Sequence, residues 1–140
     1  MKNFIENILN FKCIGKYVNE ECVFINKDFI VVKDIKMVSD NLEHMHFTAW
    51  CRDKKINSLK NINIDNVKIL IKIKNEMDKY IRNKYNGFDD YDIFIHYPPQ
   101  FYQLHIHFLN RNIKKHSLKE EIFYLDDVIE YFLDEIKNKL

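Results

Sequence analysis

Glycine and proline are scarce in this chain, with two residues of each among 140. The chain shows no internal repeat, no linker and no low-complexity segment. A length of 140 residues fits one domain, and a hydrophobic fraction of 46% is ample for a core. We therefore predict a single folded domain over residues 1–140, in which residues 4–12 form a short N-terminal helix.

Cysteine is also infrequent. The chain has three cysteines, Cys13, Cys22 and Cys51. Their number is odd, and no pair has CxxC spacing. This spacing argues against a zinc knuckle. Three reduced thiols are typical of a protein of the cytoplasm or nucleus, and we expect that location.

Long apolar runs and an excess of charge are both absent. No stretch approaches the ~18 apolar residues of a membrane span, and Asn, Glu and Lys interrupt the apolar residues at the N-terminus, which excludes a signal peptide. The net charge of +1 argues against a broad basic surface for nucleic acid. We expect neither a membrane nor DNA as a partner, whereas a small nucleotide needs only a few local cations.

The segments that are present predict an α+β fold. Cys22–Asn26 and Phe29–Ile35 read as a β-hairpin, and Met45–Cys51 as a third strand. Ile64–Lys84 has the apolar spacing of a long helix, for which Asn63 is the expected N-cap.

Two more strands and a second helix complete the prediction. Tyr91–His96 and Phe101–Leu109 flank a Pro98-Pro99 turn and read as antiparallel strands. The C-terminal helix ends near Lys139 and opens either at a Ser117/Glu120 capping box or at Asp126. The predicted fold class is thus α+β, an antiparallel sheet of about five strands with one long helix and a C-terminal helix.

The histidines of the last predicted strand are the clearest candidate site. Side chains alternate along a strand, so Gln103, His105 and His107 share one face, and the apolar residues between them face the core. The two imidazoles are about 7 Å apart by the strand rise. The turn brings His96 beside them on the neighbouring strand.

Such a patch suits phosphorus chemistry. A neutral imidazole attacks phosphorus as a nucleophile, and a cationic neighbour stabilises the phosphate oxygens or protonates the leaving group. Two other readings remain open for the His-x-His pattern: a zinc site with His96 as a third ligand, and an exposed polar face of an edge strand. We expect no metal and no other cofactor.

The string His96-Tyr-Pro-Pro-Gln-Phe-Tyr-Gln-Leu-His105-Ile-His107-Phe108 resembles the signature of the scavenger mRNA-decapping enzymes, a branch of the histidine-triad superfamily. Three further segments also resemble the corresponding segments of this family: residues 29–36, residues 48–59 with the long helix after them, and Leu125–Ile129. The resemblance spans residues 22–135 and implies a histidine-triad fold.

The resemblance implies a role for each site residue. His105 is the nucleophile, and His107 and His96 bind and polarise phosphate oxygens. Asp34 takes the position that contacts the methylated guanine, and Lys36 the position that contacts the phosphates. These types fit, since a carboxylate accepts hydrogen bonds from a guanine edge and an ammonium suits a polyphosphate.

Other positions depart from the family pattern. Gln103 replaces a histidine that supports the nucleophile, and His46 replaces a tyrosine but can still contact a phosphate. The chain begins near the hinge that precedes the family's catalytic domain, where Phe4 takes the place of a tryptophan that stacks on the methylated base. A packing role for Phe4 is an equal alternative. Tyr102 completes the expected substrate-binding residues.

The implied function is metal-independent hydrolysis of a methylated cap dinucleotide or short capped RNA. It proceeds through a nucleotidyl-His105 intermediate and releases 7-methylguanosine monophosphate. Two alternatives stay open: hydrolysis of other dinucleoside polyphosphates or nucleotide conjugates, and a non-catalytic cap or nucleotide binder, which Gln103 favours. The resemblance also implies a homodimer.

Overall fold

The computed structural model describes residues 21–34, 36–99, 101–113 and 121–139. The helix predicted within residues 4–12, the candidate Phe4 and the Ser117/Glu120 capping box lie outside the described residues. Within the described ranges, neither helix combines the length and the apolar run needed to cross a membrane.

Within the described ranges, six strands form one antiparallel sheet. They are β1 Cys22–Ile25, β2 Phe29–Lys33, β3 His46–Cys51, β4 Tyr91–Tyr97, β5 His105–Asn110 and β6 Glu121–Tyr124. Their order across the sheet is β1-β2-β3-β5-β4-β6. The predicted hairpin is present as β1 and β2, and β5 lies at the centre between β3 and β4.

In the part of the chain that the structure describes, two α-helices accompany the sheet, α1 over Val67–Lys84 and α2 over Leu125–Lys139. The prediction placed the start of α1 at Ile64, but residues 64–66 form a turn. In that turn Oδ1 of Asn63 accepts the backbone N–H groups of Asp65 and Asn66, and its carbonyl accepts from Val67. Asn63 therefore satisfies N–H groups before the helix, one turn earlier than an N-cap.

The two faces of the sheet differ in what they carry. The core face holds Phe47, Ala49, Ile106 and Phe108, which join the buried side of α1 in one apolar cluster. The site face holds the residues between them on β3 and β5, namely Thr48, Trp50, His105 and His107. This division follows from the period of two along each strand.

The predicted antiparallel sheet is present with one strand more than expected, and the predicted start of its last strand is wrong. A sixth strand, β6, pairs with β4 at the sheet edge and runs directly into α2, so no turn residue marks its end. The last predicted strand begins at His105 and not at Phe101. Before it, the backbone of Leu104 bonds to both Cys51 and Ile56, which belong to different segments, and this takes the chain out of the regular ladder.

Candidate active site

Three neighbouring strands bring four histidines together on the site face. His105 pairs with Trp50 across the sheet, and His107 pairs with Thr48 on one side and with Phe94 on the other. Directly opposed residues point to the same side of a sheet, which places the side chains of all three strands in one patch.

His107 is the centre of the patch. Its ring centroid lies 4.9 Å from that of His96, 5.3 Å from that of His105 and 5.2 Å from that of His46. The expected grouping of His96, His105 and His107 is therefore present, and His46 joins it as a fourth imidazole.

The nucleophile candidate His105 is held in one tautomer. Its Nδ1 lies 2.8 Å from the carbonyl oxygen of Gln103. A carbonyl only accepts hydrogen bonds, so Nδ1 carries the proton. In the neutral ring Nε2 then bears the lone pair, the state that attack on phosphorus requires.

Burial keeps this ring neutral. Loss of solvent lowers the pKa of His105 to about 4, although its bond to the Gln103 carbonyl opposes the shift. Trp50 stacks on the imidazole with a centroid distance of 4.2 Å and an interplanar angle of 24°. The ring is thus fixed in orientation and uncharged at neutral pH, with its single proton on Nδ1.

His46 and His107 form a second arrangement with Asp34. His46 Nε2 and His107 Nδ1 lie 3.0 Å apart, and His46 Nδ1 lies 3.6 Å from Oδ1 of Asp34. The carboxylate favours a proton on His46 Nδ1, so Nε2 of His46 accepts from His107 Nδ1–H. This arrangement of hydrogen bonds leaves Nε2 of His107 as the atom that can gain a proton.

Both imidazoles are neutral in the free protein. Burial is the main cause that lowers the pKa of His46 and lowers that of His107 well below its usual value. Asp34 acts against the shift at His46, and the charge of Lys36 adds to it at both rings. A bound polyphosphate would supply the negative charge that lets His107 become an imidazolium.

Asp34 and Lys36 stand at the expected edge of the patch. The Asp34 side chain is 13% exposed, and its Oδ2 lies 3.4 Å from the hydroxyl of Thr48. The backbone N–H of Lys36 donates to Oδ1 of Asp34 at 3.0 Å. The carboxylate is therefore already in contact with protein groups, and its contact with a guanine stays a prediction.

Gln103 is placed differently from the prediction. It precedes β5 and is buried, so it lies outside the regular strand that the alternation argument assumed. Its amide nitrogen donates to the carbonyl oxygens of Cys51 and Asp53 at 2.7 and 2.9 Å. Gln103 thus anchors the loop whose carbonyl orients His105. Tyr102 beside it is 56% exposed, and its substrate role stays a prediction.

Three further residues contact the histidines and were not predicted. Trp50 stacks on His105, and Phe94 stacks on His107 with an interplanar angle of 18°. The hydroxyl of Thr48 lies 3.5 Å from Nδ1 of His107. The signal was available, since Thr48 and Trp50 follow His46 at every second position of one strand.

One group of side chains in the described ranges has the composition of a metal site. Ligand atoms of Asp34, His46 and His107 all lie within 4.8 Å of one another. This set differs from the zinc set weighed from the sequence, which combined His96 with the His-x-His pair. The patch as a whole therefore offers a neutral nucleophile and neighbouring groups that bind either a proton or a cation.

Comparison with known proteins assigns the family. A family model described as scavenger mRNA decapping enzyme C-terminal binding matches residues 7–123. The chain belongs to this family. It is therefore a histidine-triad domain of the scavenger decapping branch, as the string around His105 predicted.

Curated relatives share most of this chain and part of their own length. The m7GpppX diphosphatase of Ascaris suum is 31% identical over 130 residues, which cover 90% of this chain and 42% of that protein. The m7GpppX diphosphatase of Caenorhabditis elegans is 29% identical over 126 residues, which cover 85% of this chain and 40% of that protein. The chain spans less than half the length of these relatives.

Solved structures confirm the α+β fold. A HIT family hydrolase from Legionella pneumophila matches with a TM-score of 0.56 at 16% identity, over 78% of this chain and 92% of that one. A HIT family protein from Bacillus anthracis matches with a TM-score of 0.54 at 10% identity, over 96% of this chain and 94% of that one. At these identities the likeness concerns the fold alone.

Proposed function

We propose that this scavenger decapping family domain hydrolyses a methylated cap dinucleotide or short capped RNA and needs no metal to do so. The observation that carries the proposal is the hydrogen bond from His105 Nδ1 to the Gln103 carbonyl, inside a group of four imidazoles. It leaves Nε2 as an oriented nucleophile. The names of the relatives supply the substrate class.

In the first step Nε2 of His105 attacks the phosphorus atom that carries the methylated guanosine. A P–N bond forms, and the bond from phosphorus to the bridging oxygen breaks. The nucleoside diphosphate leaves with a proton from a neighbouring imidazolium. In the second step that imidazole takes a proton from water, the hydroxide attacks phosphorus, and the P–N bond breaks to release 7-methylguanosine monophosphate.

His107 is the group that we assign to the phosphate oxygens, with His96 beside it. Its Nδ1 lies 3.0 Å from Nε2 of His46, and His46 faces the Asp34 carboxylate. An imidazolium at His107 can therefore donate from Nδ1 to His46 and from Nε2 to the phosphate. One electrostatic donor of this kind typically contributes about 10²–10³ in rate.

A second candidate function follows from Asp34. Its carboxylate is 13% exposed and faces His46 and Thr48, which restricts its contact with a methylated base. Hydrolysis of general dinucleoside polyphosphates needs only the imidazoles and a cation such as Lys36. A non-catalytic binder has less support, because Gln103 orients the nucleophile through its backbone carbonyl.

The deciding experiment is incubation without metal, in chelator, with a methylated cap dinucleotide and with its unmethylated counterpart. Products are read by mass spectrometry. We expect 7-methylguanosine monophosphate from the methylated substrate, and little cleavage of the other. Equal cleavage would replace the cap substrate with the general one, and binding without products would contradict hydrolysis altogether.

We infer a homodimer from the family, with β6 and α2 as the contact. Both elements expose aromatic side chains, since Tyr124 is 43% and Tyr131 is 59% exposed. They line an apolar groove of about 400 Å³ with Phe132 and Leu59. Light scattering should give twice the chain mass, and Tyr131→Lys should shift it toward the monomer.

A further inference from the structure

The centre of the site holds a pair of imidazoles in hydrogen-bond contact. His46 and His107 are each 9% exposed, and His46 Nε2 and His107 Nδ1 lie 3.0 Å apart. Two imidazole nitrogens at this distance are joined by a proton or by a cation. The Asp34 carboxylate adds an oxygen to the same group, with all three ligand atoms within 4.8 Å.

The spacing suits a small transition-metal ion. Zinc binds imidazole nitrogen at about 2.0–2.1 Å and carboxylate oxygen at about 2.0–2.2 Å, so neighbouring tetrahedral ligands are about 3.3 Å apart. The two imidazole nitrogens are already close to this separation. Asp34 has a ligand atom within 4.8 Å of those of both imidazoles, so a side-chain movement of about 1.5 Å or less completes the set.

The tautomers of the two rings are compatible with a metal. Metal ligation requires that the ligating nitrogen of each imidazole carries no proton. Each ring can hold its single proton on the nitrogen that does not bind the metal. The positive charge of Lys36 opposes a bound cation, just as it opposes a positive charge on both rings.

We propose that Asp34, His46 and His107 form a Zn²⁺ site with three protein ligands and an open fourth position. Two nitrogens and one carboxylate oxygen match the open zinc sites of proteins, and nitrogen ligands disfavour Mg²⁺. Zinc in this site blocks hydrolysis, because it takes both Asp34 and His107 from the substrate. The blocking effect rests on the proposed function, but the binding of zinc does not.

Binding is measured on the whole chain without substrate. After treatment with chelator and dialysis, the protein is titrated with ZnCl₂ by calorimetry, and Co²⁺ is added in parallel as a spectroscopic probe. We expect one Zn²⁺ per chain with a Kd in the micromolar range or below, and visible Co²⁺ absorption bands typical of four-coordinate nitrogen and oxygen ligands. Mg²⁺ should give no heat. Absence of saturable Zn²⁺ binding would overturn the proposal.

Variants test the ligand set. His46→Gln and Asp34→Asn should each weaken Zn²⁺ binding by at least about 10-fold, the order expected when one ligand or its partner is lost. Lys36→Gln should strengthen it. His44→Gln is the matched control, because His44 lies two residues away and bonds to Ser39 instead. Thermal melting in chelator checks that each variant folds, and unchanged binding in both ligand variants would refute the assignment.

The effect on hydrolysis is read separately. Zn²⁺ at concentrations that saturate the site should abolish turnover of the cap dinucleotide, and chelator should restore it. Lys36→Gln should lower the Zn²⁺ concentration needed. If Zn²⁺ binds as proposed but leaves turnover unchanged, the blocking role is wrong. If turnover is absent even in chelator, the proposed function fails while the calorimetric result stands.

Discussion

The two faces of the central strands show how one sheet supports both folding and chemistry. On β5, Ile106 and Phe108 are fully enclosed in the apolar core, while His105 and His107 between them face the site. On β3, Phe47 and Ala49 alternate in the same way with His46 and Thr48. Neighbouring residues of one strand therefore have unrelated physical environments.

Burial has opposite consequences on the two faces. On the core face it removes apolar surface from water and stabilises the fold. On the site face it lowers the pKa of His105, His107 and His46, and each ring meets another polar or aromatic group. The same β-sheet thus provides stability through one face and neutral, oriented imidazoles through the other.

The substitution His105→Asn should separate the roles of the two faces most clearly. Asparagine keeps a polar side chain on the site face but cannot form the nucleotidyl intermediate, so we expect turnover to fall by about 10⁴-fold or more. The free energy of unfolding should change little, by about 1 kcal/mol. Product formation by mass spectrometry and urea unfolding measure the two quantities.

His44→Asn serves as the control for the nucleophile, because His44 lies outside the patch and bonds to Ser39. It should retain full turnover. Turnover by the His105→Asn variant within a factor of ten of the parent chain would remove His105 as the nucleophile.

Phe108→Ala tests the core face, three positions after His105 on the same strand. Its side chain is fully buried in the core, and truncation there typically costs about 3–5 kcal/mol of unfolding free energy. The variant that remains folded should turn over substrate within about 10-fold of the parent at low temperature. Phe108→Leu is the milder companion, and a loss of turnover without a loss of stability would contradict the division of faces.

Local pattern explains what could be predicted from the sequence. The alternation of His105 and His107 with apolar residues assigned both faces of β5, since a period of two is local information. The long helix followed from its apolar spacing. The family string also assigns roles to His96, Asp34 and Lys36, and these roles stay predictions.

Long-range register explains what could not be predicted. The contact of His46 with His107 joins residues 61 positions apart, and it depends on how β3 and β5 align. Gln103 sits two positions before His105, so alternation placed it on the site face. The bonds of Leu104 to Cys51 and Ile56 end the regular ladder there, a tertiary effect that no local pattern reports.

The pH dependence of hydrolysis tests the environment of His105 on the site face. The pKa of His105 is about 4, below the usual value of about 6.5 for histidine. The nucleophile therefore stays neutral at pH values at which an ordinary histidine is protonated. The acid limb of kcat/KM that reports this group should lie near pH 4 and not near pH 6.5. A limb near pH 6.5 that persists at saturating substrate would contradict a buried neutral nucleophile.

Stability should follow pH with a defined sign. The folded-state pKa values of His46, His105 and His107 are lowered, that of His105 to about 4, so between about pH 6.5 and 4 the unfolded chain binds more protons than the folded one. Stability is therefore full above about pH 6.5 and falls as the pH drops. Urea midpoints should show this slope, and Phe108→Leu should keep it, because Phe108 lies in the core cluster and carries no titrating group.

The smallest expected effect is that of Thr48→Val, which removes one hydroxyl from the buried centre of the site face. The hydroxyl lies 3.4 Å from Oδ2 of Asp34 and 3.5 Å from Nδ1 of His107, both long for hydrogen bonds. Each bond should contribute less than the usual value of about 1 kcal/mol, and we expect turnover to fall by less than about 10-fold. Thr48→Ser keeps the hydroxyl and should restore the rate. A loss of about 10³-fold in Thr48→Val would mean that the hydroxyl, and not the His46–His107 contact, positions the phosphate-binding imidazole.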